Sequence, residues 1–172
     1  QLLLPGHRFS HDKVRESLLA ELSPQAARGW HRRLGDYFAA QPDEVSQAAF
    51  HYAHGELLEA AAPLALRAAR QDAARSALSS AAYFYEIACR YQPEPQVLWE
   101  YARVLELLGH QDEAVAWLAR GLRECTDPRW LAPMNLSLAS LFQKGSKYSE
   151  SVEHCQKAWK HLNDLPPERA KE

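Results

Sequence analysis

Apolar residues recur along this chain at three- and four-residue intervals, the signature of helices that each bury one face. Val14, Leu18, Leu19 and Leu22 form the first stripe; Ser10 is placed to cap it and Ser23-Pro24 to close it, which predicts a helix over about residues 11 to 22. Ser23 then caps a second helix running to about Ala40. Pro24 occupies its first position, where a missing amide proton is no loss, and Trp30, Leu34, Tyr37 and Phe38 supply its buried stripe. Pro42-Asp43-Glu44 reads as a third start, with acid at the positive helix end, followed by Val45, Ala49 and Tyr52 and stopped by Gly55. From Glu56 to about Ala77 the chain is nearly all Ala, Leu, Arg and Gln, a fourth helix that Pro63 either kinks or restarts. A fifth is expected from about Leu78 to Tyr91. Pro93 and Pro95 separate it from a sixth carrying Val97, Leu98, Tyr101, Leu105 and Leu108. Beyond the Gly109-His110 turn, three more follow at about 112 to 124, 129 to 144 and 149 to 163, broken by Asp127-Pro128 and Lys144-Gly145-Ser146. The pattern therefore predicts an all-α chain of about nine helices, with a frayed tail over 166–172.

The later helices carry a period. The small residues Ala81, Ala114 and Ser151 lie 33 and 37 residues apart, and seven positions on, Ala88, Gly121 and Ala158 repeat the same intervals. Tyr85, Leu118 and Cys155 sit between the two small positions of each unit. A small side chain every second turn lets the second helix of a hairpin approach the first closely, while the larger residue fills the groove between them. Core packing accounts for Tyr85, Tyr101, Leu105, Leu118 and Phe142.

These units resemble tetratricopeptide repeats. The match is clearest over 97–128, where Gly109-His110-Gln111-Asp112-Glu113-Ala114 fits the family's turn into the second helix. It continues over 135–166, where Leu138 to Phe142 and Lys147 to Ser151 fit, although Gly145 lies one residue earlier than the family's turn glycine and Ser151 replaces Ala. The unit before Pro93 is degenerate, without the first-helix aromatic or the turn glycine, so helical repeats are expected across 56–165. The resemblance implies a right-handed superhelix of stacked antiparallel hairpins, with the first helix of each unit lining a concave groove. Trp99, Arg103 and Glu106 would then face that groove, with Leu136, Ser140 and Gln143 in the next unit and Arg70 in the degenerate one. A solvated helix face is the simpler account of the same residues.

Composition narrows the field by exclusion. The 20 Lys+Arg nearly cancel 22 Asp+Glu, and neither sign forms the run of a nucleic-acid arm, so charge names no partner and direct nucleic-acid binding is not expected. Cys89, Cys125 and Cys155 are far apart and odd in number, which predicts reduced thiols. No stretch approaches the roughly 20 apolar residues needed to span a bilayer, and Gln1-Leu2-Leu3-Leu4-Pro5 is too short for a signal core. A cytoplasmic location follows as the expectation. Without an initiator Met, the run of Leu2 to Leu4 leads straight into a motif and suggests a segment of a longer polypeptide.

That motif, His7 to Leu18, resembles the end of the winged-helix module of signal-transduction ATPases with numerous domains, so 1–22 reads as the end of such a module. In that superfamily a His-Asp pair at a helix start follows a strand, and the His reads the nucleotide phosphate. His11 and Asp12 take those places here. An imidazole beside a helix amino terminus sits where amide protons and the helix dipole favour anions, which suits that role; capping or core packing is the plainer one. Ser10 stands where the plant and animal immune members carry Met, which favours the bacterial regulator branch. Residues 23–55, including Trp30 to Leu34 and His51 to Gly55, are similar to the connector between winged helix and sensor repeats.

No Gly-x-x-x-x-Gly-Lys loop, nucleophile elbow or zinc signature occurs. A metal site at His51 and His54, even with His31, lacks a Cys or carboxylate to complete it, and His11-Asp12 alone is too little for a metal phosphohydrolase. The expectation is a non-catalytic segment with no metal or cofactor of its own. It would bind a protein or peptide partner, its own upstream ATPase domain or a small effector, within a parent that uses ATP and ADP. A stand-alone adaptor with a peptide groove is the alternative.

Overall fold

A computed structural model describes residues 3, 4, 8, 9, 22–91 and 93–163. Two short strands, β1 (Leu3–Leu4) and β2 (Arg8–Phe9), pair antiparallel, with Leu3 opposite Phe9 and Leu4 opposite Arg8. The rest is helical. In order come α1 (Pro24–Ala39), α2 (Val45–His54), α3 (Leu58–Ala74), α4 (Leu78–Tyr91), α5 (Pro95–Leu107), α6 (Gln111–Glu124), α7 (Pro128–Lys144) and α8 (Tyr148–Asn163). Neighbours pack in sequence order, α1 on α2, α3 on α4, α5 on α6 and α7 on α8; α2, α4 and α6 each join their hairpin to the next, and α5 also touches α7 directly. The chain is a stack of antiparallel helical hairpins, and eight of the nine expected helices fall within the described residues. The first, over about 11 to 22, lies outside them except for Leu22, and the tail over 166–172 lies outside them altogether.

Local chemistry sets the helix ends. Ser23 Oγ accepts the Ala26 amide at 3.2 Å ahead of Pro24, and Asp127 accepts the Arg129 amide at 3.0 Å ahead of Pro128. Three hairpin turns share one geometry. Ser76, Gly109 and Ser146 take φ of +60°, +82° and +58°, at the intervals of 33 and 37 seen in the sequence. The next amide in each, from Ala77, His110 and Lys147, reaches back to Asp72, Leu105 and Phe142 carbonyls at 2.8–2.9 Å, closing the helix in the Schellman manner. The turn glycine displaced in the last unit is thus replaced in its role by Ser146, while Gly145 only caps the helix. Glu56 does the same between α2 and α3, with φ +58°.

Three expectations are corrected. The third helix starts at Val45 because Pro42-Asp43-Glu44 is spent on a turn, in which the Gln41 and Glu44 amides reach the Phe38 and Gln41 carbonyls. Of the two expectations for Pro63, a kink or a restart, the restart does not occur. Pro63 lies inside one continuous helix, as Pro133 does in α7; each is the sixth residue of its helix, where the missing amide proton costs one backbone bond without breaking the helix. The stripe on α1 is not a buried one: Trp30, Leu34 and Tyr37 are exposed and Phe38 is half-buried. The side of α1 turned to α2 carries His31 and Gly35 instead.

The core changes character along the stack. Ala48, Ala49, Ala61, Ala65, Ala68, Ala69 and Ala81 are fully enclosed between α2, α3 and α4, so these helices meet at short range over small side chains. Farther on, Leu98, Leu105, Leu118, Met134 and Leu138 fill wider gaps. Each such side chain contributes about 1.5–3 kcal/mol on burial. Gly121 belongs to this part, since a Cβ there would stand 2.9 Å from Met134 Cε. Ser151, the polar substitute at a small position, is satisfied by donating to the Ala139 carbonyl at 2.9 Å. Among the described residues no helix is long and apolar enough to cross a membrane.

Candidate functional site

The face assigned to partner binding is built by α3, α5 and α7. On α5, Val97, Leu98, Tyr101, Ala102, Val104 and Leu105 are buried, which leaves Gln96, Glu100 and Arg103 as a polar row on the other side. Arg70 on α3 meets that row. Its Nε and Nη2 donate to Glu100 Oε2 and Oε1 at 2.9 and 3.0 Å, a bidentate pair joining residues 30 apart. Gln96 Nε2 and the Tyr85 hydroxyl donate to the same carboxylate at 2.8 and 3.2 Å. Burial is the largest single influence on Glu100 and opposes its ionisation. The bonds from Arg70, Gln96 and Tyr85, with the Arg70 charge, outweigh it and hold the carboxyl below its ordinary range. Tyr85 is pushed upward, by burial first and by Glu100 second.

Other residues of α5 reach α7. Trp99 Nε1 donates to Ser137 Oγ at 3.0 Å, its ring lies 5.7 Å from that of Trp130, and the Arg103 guanidinium sits 4.9 Å above its centroid. Lys144 Nζ donates to Glu106 Oε1 at 2.7 Å. Of the seven residues expected in a groove, Arg70, Trp99 and Glu106 are therefore engaged in joining hairpins. Arg103, Leu136 and Gln143 are exposed, and Ser140 is half-buried. A cavity of about 220 Å³ opens beside them, between α3, α4 and α5, lined by Ala73, Leu78 and Leu107 with Tyr85, Glu100 and Arg103 at its polar side. Glu100, Ser137, Trp130 and Lys144 were not among the residues expected in the groove, and Tyr85 was expected only in the core, where it is indeed buried. Glu100 alone had a readable signal, since it lies one helical turn from both Gln96 and Arg103.

A second cluster lies between α1 and α2. His31 and His51 meet through their Nδ1 atoms at 2.9 Å, His54 stacks on His31 with centroids 5.1 Å apart, and Phe38 stacks on His51 at 5.4 Å. The Tyr83 hydroxyl reaches His54 Nε2 at 3.3 Å. Burial lowers the affinity of His31 and His51 for protons, and the neighbouring imidazoles lower it further. One shared proton satisfies the Nδ1 pair; two would set N–H against N–H. Among the described residues no group of three or more His, Cys, Asp and Glu could hold a metal ion. His11 and Asp12 lie outside the described residues.

No protein-family model matches the chain, and a comparison with curated proteins finds no match.

Proposed function

We propose that this chain is a non-catalytic interaction or effector-sensing segment of a larger cytoplasmic signalling ATPase, a transcription regulator or kinase, whose parent binds ATP and ADP. The observation that carries the reading is the α3–α5–α7 face. Its hairpins are joined side by side by Arg70–Glu100, Trp99–Ser137 and Glu106–Lys144, while Arg103, Leu136 and Gln143 remain open to a partner. A ligand lying across those joints favours one relative arrangement of hairpins, which is how binding energy becomes a switch. A near-complete switch needs about 10⁴-fold preference for one state, about 5.5 kcal/mol. The β2 strand just ahead of His11-Asp12 supports the winged-helix resemblance, because the pair follows a strand in that superfamily.

Two tests separate this from a stand-alone adaptor. The reading frame upstream of Gln1 is expected to contain a phosphate-binding loop; a frame without one favours the adaptor. Arg103→Ala is expected to weaken binding of the parent's ATPase domain, added in trans, without loss of helix content. Trp99→Ala should weaken it more. Unchanged binding in both variants removes the face from the site.

A further inference from the structure

We infer that the outer face of α8 is an open repeat junction, a second interaction surface that accepts the first helix of another hairpin of this same kind. The stack supplies its own comparison, because the second helices α4, α6 and α8 align at intervals of 33 and 37 residues. At the central position Tyr85 is 3% exposed and Leu118 1%, whereas Cys155 is exposed. One turn earlier, Ala82 and Val115 are half-buried and Val152 is 56% exposed; one turn later, Cys89 is buried, Leu122 half-buried and Trp159 68% exposed. Side chains of the same apolar class thus lose their cover only in α8. What α4 and α6 have is a following first helix, α5 or α7, packed against them.

The face has the form of such a junction. Tyr148, Val152, Cys155, Trp159 and Leu162 recur at spacings of four and three, a continuous apolar stripe along α8. It lies apart from the inward position of Ala158, which is enclosed. The occupant that fits is defined by the helices already seated at the earlier junctions: Trp130, Met134 and Leu138 recur every four residues on α7, as Leu98 and Ala102 do on α5. Met134 seats on Gly121 of α6 in that way. A hairpin whose first helix carries this stripe continues the stack on α8. This surface is independent of the α3–α5–α7 face, so either can fail without the other.

Cys155 is a built-in reporter, since Cys89 and Cys125 are buried and burial pushes both thiols upward, Cys89 to about 12. The test joins residues 1–163 to a second copy of residues 125–163, both added cysteines changed to Ser, and follows alkylation of Cys155 by iodoacetamide. The expected result is a tenfold or greater slowing relative to the 172-residue chain, with added helix signal, and return to the fast rate on Val152→Glu with Trp159→Glu. Equal rates overturn the inference, with or without added helix. It is also overturned if the unextended chain sediments as a dimer with Cys155 protected, which makes a second copy the occupant. Deletion of residues 164–172 that speeds alkylation tenfold overturns it in favour of the chain's own end.

Discussion

Gly35→Ala tests the tightest contact at any of the described glycines. A Cβ built at Gly35 would stand 2.5, 2.7 and 3.0 Å from Tyr52 Cδ1, Cε1 and Cγ, against an ordinary contact of 3.4–4 Å. The ring would have to retreat by about 1 Å, and it is tethered, because the Tyr52 hydroxyl donates to Asp36 Oδ1 at 2.9 Å on the same helix as Gly35. Overpacking of this kind costs about 1–3 kcal/mol, and loosening the tether adds about 0.5–1 kcal/mol. Against this, Ala is the better helix former by about 1 kcal/mol. The balance is destabilisation of about 0.5–3 kcal/mol, a fall in Tm of roughly 1–12 °C for a chain of this size. Gly29 is the internal control. It lies in the same helix with nothing within 4 Å of its would-be Cβ, so Gly29→Ala keeps only the propensity gain and should stabilise by up to about 1 kcal/mol. Urea unfolding followed by circular dichroism at 222 nm measures both. The reasoning fails if Gly35→Ala unfolds at the same or higher urea than Gly29→Ala. It also fails if Tyr52→Leu, which shrinks the obstructing ring, leaves the penalty of Gly35→Ala unchanged.

The other predictions concern the turns and the imidazole cluster. Ser146→Gly and Ser76→Gly place the permissive residue at φ near +60° and should each raise the urea midpoint, by up to about 1 kcal/mol, while Gly109→Ala should lower it by a similar amount at φ +82°. No change from any of the three would mean that these turns are not left-handed in solution. His31 and His51 bind protons less readily folded than unfolded, so their contribution is complete above the unfolded value of 6.5 and is lost as pH falls below it toward the folded values. Urea midpoints should therefore decline between pH 7.5 and 5, and His51→Phe, which preserves the stacking on Phe38, should flatten that decline. An unchanged slope in His51→Phe would place the pH dependence elsewhere.

Helices and their period are legible in the residues alone, because both depend on interactions within a turn or two. The stripe Val97, Leu98, Tyr101, Leu105 gives α5 one apolar side from its own residues, and Ser23-Pro24 and Asp127-Pro128 start helices with their own atoms. The left-handed turn residues Ser76, Gly109 and Ser146 keep the intervals of 33 and 37, but neither serine is marked by its residue type, and Gly145 lies one place before the turn position. Which side chains meet across hairpins is not legible in the residues alone. Arg70 finds Glu100 30 residues away, and Lys144 finds Glu106 at 38; both pairings depend on the rise and rotation from one hairpin to the next, which no local pattern encodes. The same holds for His31 and His51, and for α1, whose apolar stripe promised burial while the packed side proved to be the one with Gly35. Amphipathicity says that a helix has a side to cover; the neighbouring helices decide which side is covered, because close approach needs the small residue and not the apolar one.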